Sequence, residues 1–316
     1  MVAGSRPAVP AGPPLWVWRA TGAGAVLLLG LLTVLAFWSE RRMSRRFATD
    51  AGTMLRREWT ARSDSVTRVV VLGTSLVEYG VADPEYFARR CGRRVRVVKL
   101  FRESTGIEGF MGASPIFQLL ERYPPDVLCI EENLLLFRLP YSMKPELNKR
   151  LASVLNQHLA VQVAALKVQL GWWAADRSKA ALFEGFPPGQ RQLNSRDTLD
   201  ALSTLTEIRS RTVRTPRESP AIDASLHRLR QHGTRLVLLH LPRPAVLETV
   251  IHGEGRAPLL QNLIAHYQRD YQADYWHFDR PMPFRCFADY AHLNHLGNAV
   301  YSDWLASRIA PPRSAR

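Results

Sequence analysis

Apolar residues along this chain fall into three patterns. Residues 20–38 form one stretch without a charged side chain. Short apolar runs recur at 69–72, 95–101, 127–130, 236–239 and 275–278, each cut off by a glycine or a polar residue, which is the pattern of strands buried on both faces. Between them, residues 114–122, 221–232, 258–271 and 296–305 carry their apolar positions at helical spacing. Strand alternating with helix, joined by right-handed crossovers, predicts an α/β fold. The expected architecture is a three-layer α/β/α, flavodoxin-like domain with a parallel sheet of about five strands.

This pattern divides the chain. Residues 1–19, rich in Pro, Gly and Ala, read as a disordered tail. Residues 20–38 are nearly the ~20 residues that span a bilayer. Trp16, Trp18 and Trp38 suit the two interfaces, and no Ala-x-Ala-like cleavage site follows, so an uncleaved transmembrane anchor is expected. Residues 39–64 read as a juxtamembrane stalk, 65–140 as the first part of the α/β domain and 221–316 as its second part. Residues 141–220 lose the strand pattern and place Leu147, Leu151, Val154, Leu155, Leu159 and Val163 at helical spacing. A helical insertion carrying the pair Trp172-Trp173 is expected there.

Two short segments carry candidate chemistry. Val69-Val70-Val71-Leu72-Gly73-Thr74-Ser75 sets a hydroxyl at the carboxyl end of a predicted strand, the edge where open α/β sheets hold their ligands. Asp289-Tyr290-Ala291-His292 sets a carboxylate three residues before an imidazole. A serine hydroxyl becomes a nucleophile when an imidazole accepts its proton, and the imidazole needs an orienting group. Ser75, His292 and Asp289 supply all three. The Gly-x-Ser-x-Gly elbow of α/β-hydrolases is absent, because Val77 stands two residues after Ser75. His295 is a second candidate base, Asp289 is also a candidate helix N-cap, and His240 and Arg243 follow a strand's carboxyl end.

On these residues the chain resembles the SGNH (GDSL-type) hydrolase superfamily. Gly73-Thr74-Ser75-Leu76 matches Gly-Asp-Ser-Leu except for Thr74, and the Asp-x-x-His pair lies near the C-terminus. The ending, residues 287–297, looks like the membrane-anchored branch that includes alginate acetylation proteins and the D-alanyl-lipoteichoic acid transfer protein. The resemblance implies a serine esterase or O-acyltransferase working on acyl, chiefly acetyl, esters of an envelope or secreted polysaccharide, with a membrane acyl-donor partner. It implies an oxyanion hole built from the Ser75 amide, the Gly106 amide and the Asn133 side chain. The family's Gly-x-Asn-Asp block reads Glu131-Glu132-Asn133 here. A noncatalytic polysaccharide-binding or assembly subunit, and a lipid or small-ester esterase, are the alternatives.

Charge adds a question of topology. The chain of 316 residues has 42 basic against 28 acidic residues, a formal net charge of +14. No recognition helix, zinc spacing or aromatic-basic RNA motif accompanies it, so anionic lipid headgroups or an acidic polymer are expected rather than nucleic acid. Arg41, Arg42, Arg45 and Arg46 follow the apolar stretch, and positive-inside bias would put the large domain in the cytoplasm. The resemblance implies the opposite, a single pass through the cytoplasmic membrane with the domain outside. The chemistry requires no cofactor or metal. Cys91, Cys129 and Cys286 show no metal-ligand spacing, and Cys91 and Cys286 are the candidate pair if the compartment is oxidising.

Overall fold

The computed structural model describes residues 14–60, 66–138 apart from 93, 103–105 and 112–114, and 205–310 apart from 207 and 254. Most of the expected insertion, including Trp172-Trp173, lies outside the described residues. The chain divides into two compact units, Met1–Met43 with Ser142–Gly171, and Ser44–Tyr141 with Trp172–Arg316.

Of the first unit, the described part is the beginning of helix α1, Leu15–Thr60. The helix starts inside the stretch expected to be a disordered tail. Its described apolar side chains Val26, Leu27, Leu31, Val34 and Trp38 are exposed, and the Arg42 guanidinium lies 5.3 Å from the Trp38 ring centroid. Among the described residues no helix is long and apolar enough to cross a membrane, and only some of the side chains of 20–38 are among them.

The second unit holds five parallel strands: β1 Thr67–Gly73, β2 Val95–Phe101, β3 Val127–Glu131 and, after the short β4 Phe137–Arg138 and β5 Thr212–Val213, β6 Arg235–Leu239 and β7 Asp274–Trp276. Their order is β2-β1-β3-β6-β7, with Val69 opposite both Val97 and Val127, and Leu128 opposite Leu236. Val69 to Leu72 are all fully buried, as a central strand covered on both faces requires. Because every strand of this sheet runs the same way, Gly73, Glu131, Leu239 and Trp276 end along one edge. That edge receives the candidate chemistry.

Short helices α2 Ser75–Gly80, α3 Pro84–Arg90, α4 Glu108–Met111, α5 Ile116–Arg122 and α6 Glu132–Leu136 connect the first strands. Helices α7 Pro220–Gln231, α8 Ala245–His252, α9 Ala257–Tyr271 and α10 His295–Ile309 complete the layers. β4 and β5 form a separate antiparallel pair, Phe137 opposite Val213.

The expected stalk is part of this unit instead. Ala51 and Leu55 of α1 are buried in the core, the Phe47 and Phe110 rings meet at 6.0 Å, and Trp59 Nε1 donates to the Pro124 carbonyl at 3.0 Å. Burying a leucine side chain such as Leu55 is worth about 1.5–3 kcal/mol. The α/β unit therefore begins near Ser44 rather than 65.

Candidate active site

The nucleophile turn forms where β1 ends. A Cβ added at Gly73 would lie 2.1 Å from Val77 Cγ2 and 2.7 Å from Glu131 Oε2, so only glycine lets the chain turn this closely against α2 and β3. Thr74 is the N-cap of α2, its hydroxyl accepting the Leu76 N–H at 3.3 Å. Beneath it lies Glu131, 1 % exposed. Its Oε2 accepts the Thr74 N–H at 2.7 Å and the Thr74 hydroxyl at 2.8 Å, and its Oε1 accepts from Asn133 Nδ2 at 3.0 Å. One buried carboxylate thus fixes the residue before Ser75 by two charge-assisted bonds.

The other half comes from the loop before α10. Phe287 and Leu293 form an antiparallel bridge, and the Ala288 N–H donates to the His292 carbonyl at 2.9 Å, closing a tight loop around Asp289. Asp289 Oδ1 accepts the Ala291 and His292 N–H groups, both at 2.7 Å. The helix N-cap is not Asp289 but Asn294, whose Oδ1 accepts from the Leu296 and Gly297 N–H groups at 2.9 and 3.2 Å. Asn294 Nδ2 also donates to the Arg285 carbonyl at 2.7 Å, so the cap pins the loop to the helix.

Ser75, His292 and Asp289 come together across 217 residues of chain. His292 Nε2 lies 2.8 Å from Ser75 Oγ, and His292 Nδ1 lies 2.8 Å from Asp289 Oδ2. Burial works to raise the Asp289 pKa, but the His292 hydrogen bond and charge and the two backbone N–H groups outweigh it and hold the carboxyl below its ordinary value. With Asp289 ionised, Nδ1 carries the imidazole proton and Nε2 faces the serine as acceptor. The Tyr79 ring meets the imidazole edge to face at 5.0 Å. Asn298 Nδ2 donates to the Tyr79 carbonyl at 2.7 Å and the Ala82 N–H to Ser302 Oγ at 2.8 Å, tying α10 to the nucleophile helix and its exit.

The oxyanion-hole candidates stand differently. The Ser75 N–H heads the first turn of α2, where no intrahelical acceptor exists for it. Gly106 lies in the loop after β2, its carbonyl accepting the Gly109 N–H at 3.0 Å, and no hydrogen bond joins it to the triad among the described residues. Asn133 is buried in α6, with one N–H given to Glu131 and its Oδ1 without a partner. His295 is exposed at the start of α10. All three cysteines are free thiols. Sequence reasoning passed over Glu131 itself; the signal was a carboxylate inside an otherwise apolar strand end.

Fold and geometry define a parallel α/β protein with a hydrogen-bonded Ser-His-Asp triad at the carboxyl edge of its sheet. No family model and no curated protein matches the chain. Among solved structures, a lipase/acylhydrolase from Enterococcus faecalis superposes with a TM-score of 0.38 at 10% identity, covering 77% of this chain and 95% of that one. The lipase Lip_vut3 from a goat rumen metagenome gives 0.34 at 11% identity, covering 77% and 97%. At such values the likeness bears no weight, and the chemistry rests on the chain's own geometry.

Proposed function

We propose that this chain is a serine ester hydrolase or O-acyltransferase of SGNH type, acting on acetyl esters of an envelope or secreted polysaccharide. The observation that carries the reading is the Ser75–His292–Asp289 relay, with both bonds at 2.8 Å. Ser75 Oγ attacks the ester carbonyl carbon while its proton passes to His292 Nε2. The negative charge that develops on the carbonyl oxygen meets the Ser75 N–H, with the Gly106 N–H and the Asn133 amide as the further donors. Collapse breaks the bond to the alcohol, which leaves with the proton from His292, and an acyl-serine remains. Water or a sugar hydroxyl then attacks, gives its proton to His292, and releases the acid or the new ester as Ser75 recovers its hydrogen.

The exposed apolar side chains of α1 support a membrane anchor over 20–38; a domain outside the cytoplasmic membrane and a membrane acyl-donor partner are part of the same proposal. A cysteine placed in the second unit and challenged with an impermeant thiol reagent in whole cells tests that orientation: labelling supports it, and protection reverses it. The triad is tested by intact-mass analysis of the full chain after a serine-directed fluorophosphonate. One adduct at Ser75, absent from Ser75→Ala, is expected. A folded chain that takes up none is a binding or assembly subunit instead. Faster turnover of long acyl esters than of acetyl esters would move the substrate to lipid.

A further inference from the structure

Apart from the triad, a second group of polar side chains gathers at the same edge of the sheet. Glu132 follows β3 and is fully buried; His240 follows β6 and is 2 % exposed; His252 and Glu248 project from α8. One ligand atom from each of Glu132, His240 and His252 lies within 4.8 Å of the others. His240 Nε2 is 3.9 Å from Glu132 Oε1 and 3.3 Å from Glu248 Oε2, and His252 Nε2 is 3.3 Å from the same Glu248 oxygen without the alignment of a hydrogen bond. Glu132 Oε1 and His252 Nε2 are buried atoms with no hydrogen-bond partner. A buried carboxylate oxygen left unpaired is costly, and the cost disappears if it binds a cation.

We propose that Glu132, His240 and His252, joined by Glu248, bind a divalent zinc ion distinct from the triad. Tetrahedral zinc with bonds of about 2.0–2.1 Å sets its ligand atoms roughly 3.3 Å apart; the two 3.3 Å separations match that spacing, and the 3.9 Å separation and the others, within 4.8 Å among Glu132, His240 and His252, close by small side-chain shifts. Two imidazoles and two carboxylates are the nitrogen and oxygen donors that zinc takes. The shell has outer support: Tyr275 donates its hydroxyl to Glu132 Oε2 at 2.8 Å, and the His277 ring stacks on His240 at 4.2 Å. Arg243, whose backbone N–H donates to Glu248 Oε1 at 2.7 Å, adds a positive charge near Glu248 and His240 that stands against the two carboxylates. Ligation through His240 Nε2 moves the ring proton to Nδ1 and opens the long 3.3 Å contact in which that nitrogen accepts the Phe278 N–H. An ion here would clamp the end of β3, the end of β6 and α8 to one another.

The test takes the full chain, strips it with a chelator, dialyses it, and titrates it with zinc followed by elemental analysis. One zinc per chain is expected, with cobalt substitution giving the intense visible absorption of a tetrahedral site. His252→Ala, at a position about a third exposed, abolishes the tight site, and Glu132→Gln weakens it. Tyr275→Phe lowers affinity by about 10- to 100-fold without changing the stoichiometry. Circular dichroism and thermal unfolding of each variant report that the fold survives. No retained zinc in the wild-type chain, or zinc whose affinity and cobalt spectrum are indifferent to His252→Ala and Glu132→Gln, overturns the proposal.

Discussion

Thr74 and Glu131 together fix the turn by which the chain leaves β1 for Ser75. Thr74 stands before Ser75, and the carboxylate that holds it arrives from the neighbouring strand as Glu131. Its two bonds to Thr74 fix the backbone from which Ser75 departs. Hydrogen bonds to a charged group contribute about 1.5–3 kcal/mol each. Glu131→Gln, which keeps shape but removes charge, is therefore expected to lower the unfolding free energy by about 1.5–3 kcal/mol. It also lowers kcat with little change in KM, a split that steady-state kinetics on an acetyl ester reads directly. Asp289→Asn leaves the loop bonds an acceptor but takes away the ionised partner of Nδ1, and turnover falls by roughly 10⁴-fold with fluorophosphonate labelling slowed in parallel. That Ser75, His292 and Asp289 meet was legible because a serine after a strand and a later Asp-x-x-His stand in a recognisable order and strand context. Glu131 was not, since a contact between adjacent strand ends has no spacing in the sequence.

At the scale of elements, the loop that carries Asp289 and His292 depends on the first turn of α10. A Cβ added at Gly297 would stand 2.2 Å from the Cys286 carbonyl oxygen, which also accepts the Asn294 N–H at 3.0 Å. The helix therefore packs against backbone that cannot yield as a flexible side chain would. Gly297→Ala is expected to separate helix from loop, costing about 1–3 kcal/mol in denaturant unfolding and loosening the His292–Ser75 bond, so labelling of Ser75 slows as well. Asn294→Ala removes the cap and costs about 0.5–2 kcal/mol. The inner strands β1, β3 and β6 were readable because a strand buried on both faces is a continuous apolar run, whereas the edge strands β2 and β7 interrupt theirs with Arg96, Lys99 and Asp274. Helices α2 and α6 were not, being single turns or little more, and β4 and β5 have two residues each, too short for any period to register. α8 escaped because it follows Pro242 and Pro244 in what reads as a loop, and with it went the glutamate and histidine that face Glu132 and His240.

For the molecule as a whole, buried carboxylates set the acid limit. Burial works to raise the pKa of Glu248, but its hydrogen bond to His240, the nearby His252 imidazole and the charges of His240 and Arg243 hold it far below the ordinary carboxylate range, and Asp289 is lowered too. A carboxyl whose folded pKa is depressed adds stability that is complete above its unfolded value, about 4, and is lost as pH falls through the folded one. Urea unfolding of the metal-free chain across pH 2–6 is expected to lose stability below about pH 4, and Glu248→Gln to show a lower plateau with a shallower acid slope.

The limits of the folding unit follow from α1. Charge and helical spacing over 39–64 suggested a stalk standing apart from the α/β domain, because an amphipathic helix reads alike whether its apolar side meets lipid, a partner or its own core. The packing of Leu55, Ala51, Phe47 and Trp59 decides for the core. A fragment starting at residue 65 would expose the surface that Leu55 covers, whereas one starting at Ser44 keeps it. Truncating a buried leucine to alanine costs about 2–5 kcal/mol, and removing the whole helical segment 44–60 costs at least as much. The fragment from Ser44 is expected to unfold in a single cooperative transition and to label at Ser75 at the rate of the full chain. The fragment from 65 is expected to melt at lower temperature and to bind a hydrophobic dye. Equal melting temperatures for the two would mean that α1 only rests on the sheet unit and adds nothing to its stability.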